Sequence, residues 1–262
     1  MIKLKSNMFR PLYKYRANDK YLIDLITKSE LYFSSPIDFN DPFDSNLEIL
    51  NAVGKEEIIE HYRKTVKPSD DFFSNILEKS LNDKSVFEII NSTLKKEFYK
   101  WVNEAAICSL SKTSHDLLMW GHYTNCHKGV CLGFDPSLLE TSLGTIYDVK
   151  YTKPVPKINI YDNPTDAVIE FFCAKSNHWK YEKEVRIIQG KVGPYKFPKE
   201  ALVKIVFGVK CDDKEKVKIM ELVYNSGYQN VDFFQSFTDK KYFRLLGQKI
   251  RLIDNKIDNY KK

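Results

Sequence analysis

Two carboxylates two residues apart, Glu182 and Glu184, sit in the segment YEKEVRII, residues 181–188. Read as a strand, the segment puts both acids on one face and Tyr181, Lys183, Val185 and Ile187 on the other. Like charges so placed repel, unless their face borders solvent, a cation or a substrate that loses charge. The pattern therefore describes either a strand lining a reactive cleft or an exposed edge strand. In the second case Lys180, Lys183 and Arg186 simply neutralise the acids.

Other residues offer complementary chemistry. Arg16 closes LYKYR after Tyr13 and Tyr15, where a guanidinium can clamp a diphosphate or carboxylate with two prongs, or pair with Asp38, Asp41 or Asp44. Ser34 and Ser35 precede Pro36; their hydroxyls suit either orienting a glutamate from a neighbouring strand or forming a turn. The stretch MWGHYTNCHKGVCLGFD gathers His122, Cys126, His127, Cys131 and Asp135. Its spacing does not match the close ligand pairs of zinc, so no metal site is expected. Trp120 and Tyr123 suit a stacking wall for a flat ring with His127 as a polar tip; being three apart, they equally suit the buried face of a short helix. Neither G-x-G-x-x-G, nor a P-loop, nor G-x-S-x-G occurs, which argues against Rossmann, P-loop and α/β-hydrolase chemistry.

The elements that must position these groups follow from periodicity. Strands are expected at 12–16, 30–34, 105–110, 129–134, 146–151, 181–188, 201–209, 231–235 and 242–246. Helices are expected at 19–28, with Leu22, Ile23, Leu25 and Ile26 inward, and at 115–124, 164–177 and 214–224. The turn-rich loop 34–44 carries Ile37, Phe39 and Phe43, which suggests a loop folded onto the body. Residues 55–104 are lysine-rich and helix-periodic, with Pro68 and Ser69 separating two helices, and read as a helical insertion in a single domain spanning 1–262. Short strands and scattered helices without regular βαβ alternation predict an α+β fold.

A length of 262 residues with 43% hydrophobic content suffices for a full core. The formal charge of +6 permits nucleic acid as a partner without requiring it. Five cysteines without a CxxC suggest a reducing compartment, and no apolar run reaches the length of a signal or membrane-spanning segment. A soluble, cytoplasmic protein without membrane partners is the expectation.

In chain order, Arg16 on the first strand, a strand ending in Ser34-Ser35-Pro36 and a late Glu182-Lys183-Glu184-Val185 resemble the R-S-E arrangement of mono-ADP-ribosyltransferases. LYKYR, LYFSSPIDFNDPFD, MWGHYTNCHKGVCLGFD and HWKYEKEVRII look like the hallmark segments of the bacterial domain of unknown function 2971 family. The transferase resemblance implies a mixed β core of that type and NAD as substrate. Glu184 would stabilise the oxocarbenium-like ribose, and Glu182 would prepare the acceptor. Ser34 or Ser35 would orient Glu184, and Arg16 would hold the diphosphate. Tyr32 or Trp120 would stack on nicotinamide, and Asn40, Asp41 and Asp44 would line the rim. The activity implied is that of an ADP-ribosyltransferase or NAD glycohydrolase-like effector in bacterial toxin action or antiphage defence, its acceptor a protein or nucleic acid. The serine segment departs from the transferase pattern, reading Ser-Ser-Pro for Ser-Thr-Ser, and Arg186 shares a face with both glutamates. Two alternatives remain: a non-catalytic nucleotide-binding module built on Arg16, His127 and Arg186, or a metal-dependent nuclease using Asp41, Asp44, Glu182 and Glu184.

Overall fold

Alternation of buried and part-buried residues makes Leu12–Arg16 a strand, β1, with Tyr13 and Tyr15 facing one side and Lys14 and Arg16 the other. The computed structural model describes residues 10–45, 79–156, 158, 164–254 and 256–259. The first half of the expected insertion, with Pro68, Ser69, Phe72, Phe73, Ile76 and Leu77, lies outside them. The chain is a mixed α/β fold that divides into two compact units, one taking Ile107–Asp148 with the segments up to Ser34 and from His178 onward, the other taking Ser35–Ala106 and Val149–Asn177.

In the first unit α1 (Lys20–Lys28) follows β1, capped by Asp19, whose carboxylate accepts from the Tyr21 and Leu22 amides. A capping carboxylate is worth about 1 kcal/mol to such a short helix. Leu22, Leu25 and Ile26 are buried, but Ile23 is exposed, which corrects the expected inward face: it lies one step off the apolar stripe. After α1 come β2 (Glu30–Phe33), β3 (Ala106–Ser111), α3 (Leu117–Tyr123), β4 (Val130–Phe134), α4 (Pro136–Leu143) and β5 (Ile146–Asp148). The chain closes with β8 (Glu184–Gln189), β9 (Gly193–Lys196), β10 (Leu202–Phe207), α6 (Asp213–Asn225), β11 (Asp232–Thr238), β12 (Leu245–Ile253) and β13 (Lys256–Asn259). Among the described residues, nine strands form one sheet in the order β13-β12-β11-β10-β4-β1-β3-β8-β5, and β2 pairs separately with β9. The β10 strand, the apolar run expected to be central, lies inside the sheet and pairs parallel with β11 across α6. The pairings of β1 with β3 and β4, β4 with β10, β11 with β12 and β5 with β8 are antiparallel.

The second unit contains α2 (Lys84–Glu104), β6 (Lys150–Thr152), α5 (Pro164–Cys173) and β7 (Ala174–Ser176), with β6 and β7 paired in parallel. Phe98 of the insertion meets Phe171 edge-on at 5.5 Å. The helix expected to run to 177 stops at Cys173, and the strand expected at 146–151 is split between two sheets. In the 34–44 loop Phe39 is half-buried as expected, but Ile37 and Phe43 are exposed, while Asp41 and Asp44 are buried. Asp44 is buried with a partner, the Lys175 ammonium at 3.5 Å.

The strand expected at 181–188 needs the largest correction. Residues 177–182 form a 3-10 turn, Lys183 is left-handed at φ 46°, and β8 begins only at Glu184. The period-two rule therefore does not apply across Lys183, and Glu182 and Glu184 do not share a strand face. A second correction falls at 242–246, where Tyr242 and Phe243 belong to an exposed turn and the strand starts at Leu245.

Candidate functional site

Tyr13 and Tyr15 pack with Met119, Trp120, Cys131, Val206 and Leu245 in a core cluster on the α3 side of the sheet. Trp120 is 0% exposed; it meets Tyr15 edge-on at 5.4 Å, and its indole N–H donates to the Ser114 carbonyl. No ring face is left for a ligand, so the stacking role expected of Trp120 is replaced by core packing. His127 lies parallel to Trp120 at 6.3 Å, in a loop where Asn125, Cys126 and His127 are all left-handed. Its Nδ1 is buried without a partner, and burial, helped by the Lys210 charge, lowers its pKa. Burial also pushes the Tyr15 phenol up.

Lys14 and Arg16 alternate to the other face of β1 and, with Tyr21, Lys28, Tyr32 and Ser34, line a pocket of about 540 Å³. The Lys14 ammonium donates to the Ser109 carbonyl at 2.9 Å. The Arg16 guanidinium lies 5.6 Å from the centre of the Tyr21 ring, its Nε is buried without a hydrogen-bond partner, and among the described residues Arg16 makes no ion pair. An unsatisfied buried donor is costly, and the pocket beside this guanidinium is lined by Asp24 and Glu30 as well as by Lys14 and Lys28. Asp38, Asp41 and Asp44, the acids weighed as its partners, belong to the second unit, as do Ser35 and Asn40. There Ser35 accepts from the Ile37 amide as the cap of a 3-10 turn, and Asp41 accepts from the Phe43 amide.

Ser34 is fixed by exchanging backbone hydrogen bonds with Ile107 of β3, 3.0 and 2.9 Å. The next β3 residue, Cys108, is fully enclosed: burial pushes its thiol up, the Lys14 and Arg16 charges pull it back, and the Glu184 charge pushes it further. The Lys112 amide donates to the Lys183 carbonyl at 3.0 Å and the Ser111 hydroxyl to the Glu182 carbonyl at 2.5 Å. Since Ser111 is the register partner of Tyr13, the acidic segment stands level with Tyr13, three residues along β1 from Arg16. With β8 two strands away from β1, the offset is roughly 10 Å along and roughly 10 Å across.

Both glutamates are committed to neighbours. Glu182, 3% exposed, accepts from the Tyr123 hydroxyl at 2.6 Å. Glu184, 5% exposed, is gripped through both oxygens by Arg186, Nε to Oε1 at 2.8 Å and Nη2 to Oε2 at 3.1 Å, and Arg186 is itself 0% exposed. Among the described residues, no group of three or more His, Cys, Asp or Glu side chains is placed to hold a metal ion. Of the four acids of the nuclease alternative, Asp44, Glu182 and Glu184 are held by Lys175, Tyr123 and Arg186, and the Asp41 carboxylate accepts from the Phe43 amide.

Three contributors were missed in the sequence: Lys14, Tyr21 and Gly129. A Cβ on Gly129 would collide with the Arg16 carbonyl oxygen, so glycine lets β4 start hard against the arginine. Tyr21, one position into α1, carried no signal beyond its type.

No curated protein and no solved structure matches the chain. A family model does: it spans residues 119–187, from α3 through Glu182, Glu184 and Arg186, and stops short of Arg16 at one end and of β10 at the other. Its description is a protein of unknown function, DUF2971, and residues 119–187 carry the mark of that family, as the sequence resemblance led one to expect.

Proposed function

We propose that the protein binds NAD at the Arg16 pocket and cleaves its nicotinamide–ribose bond, as an ADP-ribosyltransferase or NAD glycohydrolase. The observation that carries this reading is Arg16 itself, a cation with a buried, unpartnered Nε at a pocket shared with Ser34 and Tyr32. A diphosphate satisfies such a guanidinium, and the half-exposed Tyr21 and Tyr32 rings offer apolar surface to a nucleoside. The offset from Arg16 to the acidic segment suits an extended dinucleotide, which carries its reactive ribose well away from its diphosphate. An ADP-ribosyltransferase-like arrangement of the β core belongs to this proposal.

In the reaction, the bond between the ribose anomeric carbon and the nicotinamide nitrogen breaks, nicotinamide leaves neutral, and positive charge gathers on the ribose. The Glu184 carboxylate, held in place by Arg186, stabilises that charge until the acceptor or water attacks and loses its proton. Glu182, which accepts from Tyr123 on the α3 side of the sheet rather than on the Arg16 face, would take that proton only from an acceptor arriving on that side. An effector role in toxin action or antiphage defence goes with this chemistry.

The test is nicotinamide release from NAD by the wild-type protein and by Glu184→Gln, with cell extract as acceptor source and circular dichroism to verify folding. Release by the wild type that is lost in a folded variant supports cleavage. A second reading, a non-catalytic nucleotide-binding module, is favoured by the closed Glu184–Arg186 pair. It predicts NAD binding with no release from either protein.

A further inference from the structure

The register aligns Arg16, Val130, Phe207 and Gln235 in one line across β1, β4, β10 and β11. Past that line β1, β4 and β10 leave the sheet at the same end, where β11 and β12 stay paired for three residues more. Lys128 lies two residues before Val130, Lys210 three residues after Phe207, and the turn between β11 and β12 adds Lys240 and Lys241. All four lysines are exposed, and none makes an ion pair among the described residues. The loops that carry them are tied together: the Lys210 amide donates to the His127 carbonyl at 3.0 Å, and Asn18, two residues after Arg16, donates to the Lys128 carbonyl at 3.3 Å.

The acids at this end are already committed. Asp19 and Asp212 cap helices, Asp213 pairs with Lys216, and Asp239 with Arg244. What remains is a row of lysines without ion pairs among the described residues, leading to Arg16.

At the far end of the row stands an aromatic tip. Phe243 is 100% exposed, yet its turn is rigidly built: Asp239 accepts from the Lys241 amide and from Arg244 Nε, and the Asp239 amide donates to the Arg244 carbonyl. Lys241 and Arg244 both lie over the Tyr242 ring, at 5.2 and 5.1 Å, which leaves Phe243 as the free ring.

We propose that this end of the sheet binds single-stranded nucleic acid, the lysine row following the phosphates and Phe243 stacking on a base. A line of cations with an exposed ring at its end matches a strand in which every phosphate is charged and every base offers a flat face. A bilayer would also welcome the ring and the tip lysines, but it has no use for a row running away from them. The surface stands on its own geometry; joined to the NAD reading, it names nucleic acid as the acceptor class.

The experiment is fluorescence anisotropy of a short labelled single-stranded oligonucleotide, titrated with the full chain at several salt concentrations. The expected result is binding that weakens with salt, falls about tenfold or more in Phe243→Ala, and loses about one to two units of salt slope when Lys240 and Lys241 both become alanine. These side chains are exposed, so the variants keep the fold. Absence of binding overturns the proposal, as does binding indifferent to Phe243→Ala. Capture by phosphatidylserine vesicles through Phe243 without oligonucleotide binding also overturns it. Heat stabilisation by NAD, measured on the same wild-type preparation, separates the two readings. Oligonucleotide binding without NAD stabilisation upholds the surface and removes the NAD site; NAD stabilisation without oligonucleotide binding does the reverse.

Discussion

Arg16 and Arg186 are both guanidiniums on strands of the same sheet, and their surroundings are opposite. Arg186 is fully buried and bound through two hydrogen bonds to Glu184, so its charge is spent inside the protein. Arg16 has a buried donor with nothing to bind, beside an open pocket. A buried charge is stable when paired, so the first arrangement is structural; Arg16 is half-buried with only its Nε enclosed, and it is the proposed function that makes it a ligand's place. The comparison also ranks the acids. Glu184 belongs to the paired side of the contrast, so the proposed catalysis requires the Arg186 pair to hold the carboxylate while leaving it open to the ribose.

The largest expected effect comes from breaking the paired side. Arg186→Met leaves Glu184 buried without its partner and should cost about 3–5 kcal/mol in urea unfolding. Adding Glu184→Leu to the same chain should restore most of that loss, because a well-packed apolar pair replaces the ions. If the single variant is as stable as wild type, the pair is not the structural clamp described here.

A middle-sized effect tests how Arg16 is held. Gly129→Ala forces a Cβ against the Arg16 carbonyl oxygen and should cost about 1–3 kcal/mol while displacing Arg16 from its pocket. The signature that separates this from general destabilisation is a loss of NAD stabilisation at temperatures where the variant is still folded.

The smallest effect lies under Trp120. Burial holds the folded-state pKa of His115 and His127 below the ordinary histidine value. As pH falls, the unfolded chain therefore takes up these protons first. Their contribution to stability is whole above the ordinary histidine value and is lost as pH falls through the depressed one. The urea midpoint should fall on acidification through that window, and His127→Gln should flatten the decline.

How far the sequence foretold this arrangement depends on which residues carried the signal. β1, β4 and β10 are legible because their apolar runs are bounded by turns and face a core on at least one side. Arg16 and Ser34 were legible as chemistry at strand ends, and the structure sets both at one pocket. The E-x-E segment misled because the break is made by a left-handed lysine: no glycine or proline marks Lys183, and its φ is imposed by the bonds from Lys112 and Ser111 around it. Two of the left-handed residues before β4 went unseen for the same reason, since Cys126 and His127 are held by bonds to the Gly121 and Trp120 carbonyls rather than by their own preference. Tyr242 and Phe243 read as a strand because their types favour one, yet nothing packs over Phe243.

The central claim is that Arg16 is kept unpaired for the diphosphate of NAD, and thermal unfolding with and without NAD tests it most directly. The account predicts that NAD raises the midpoint of the wild-type protein and leaves a folded Arg16→Gln variant unmoved. An equal rise in both proteins, or no rise in the wild type, would contradict it.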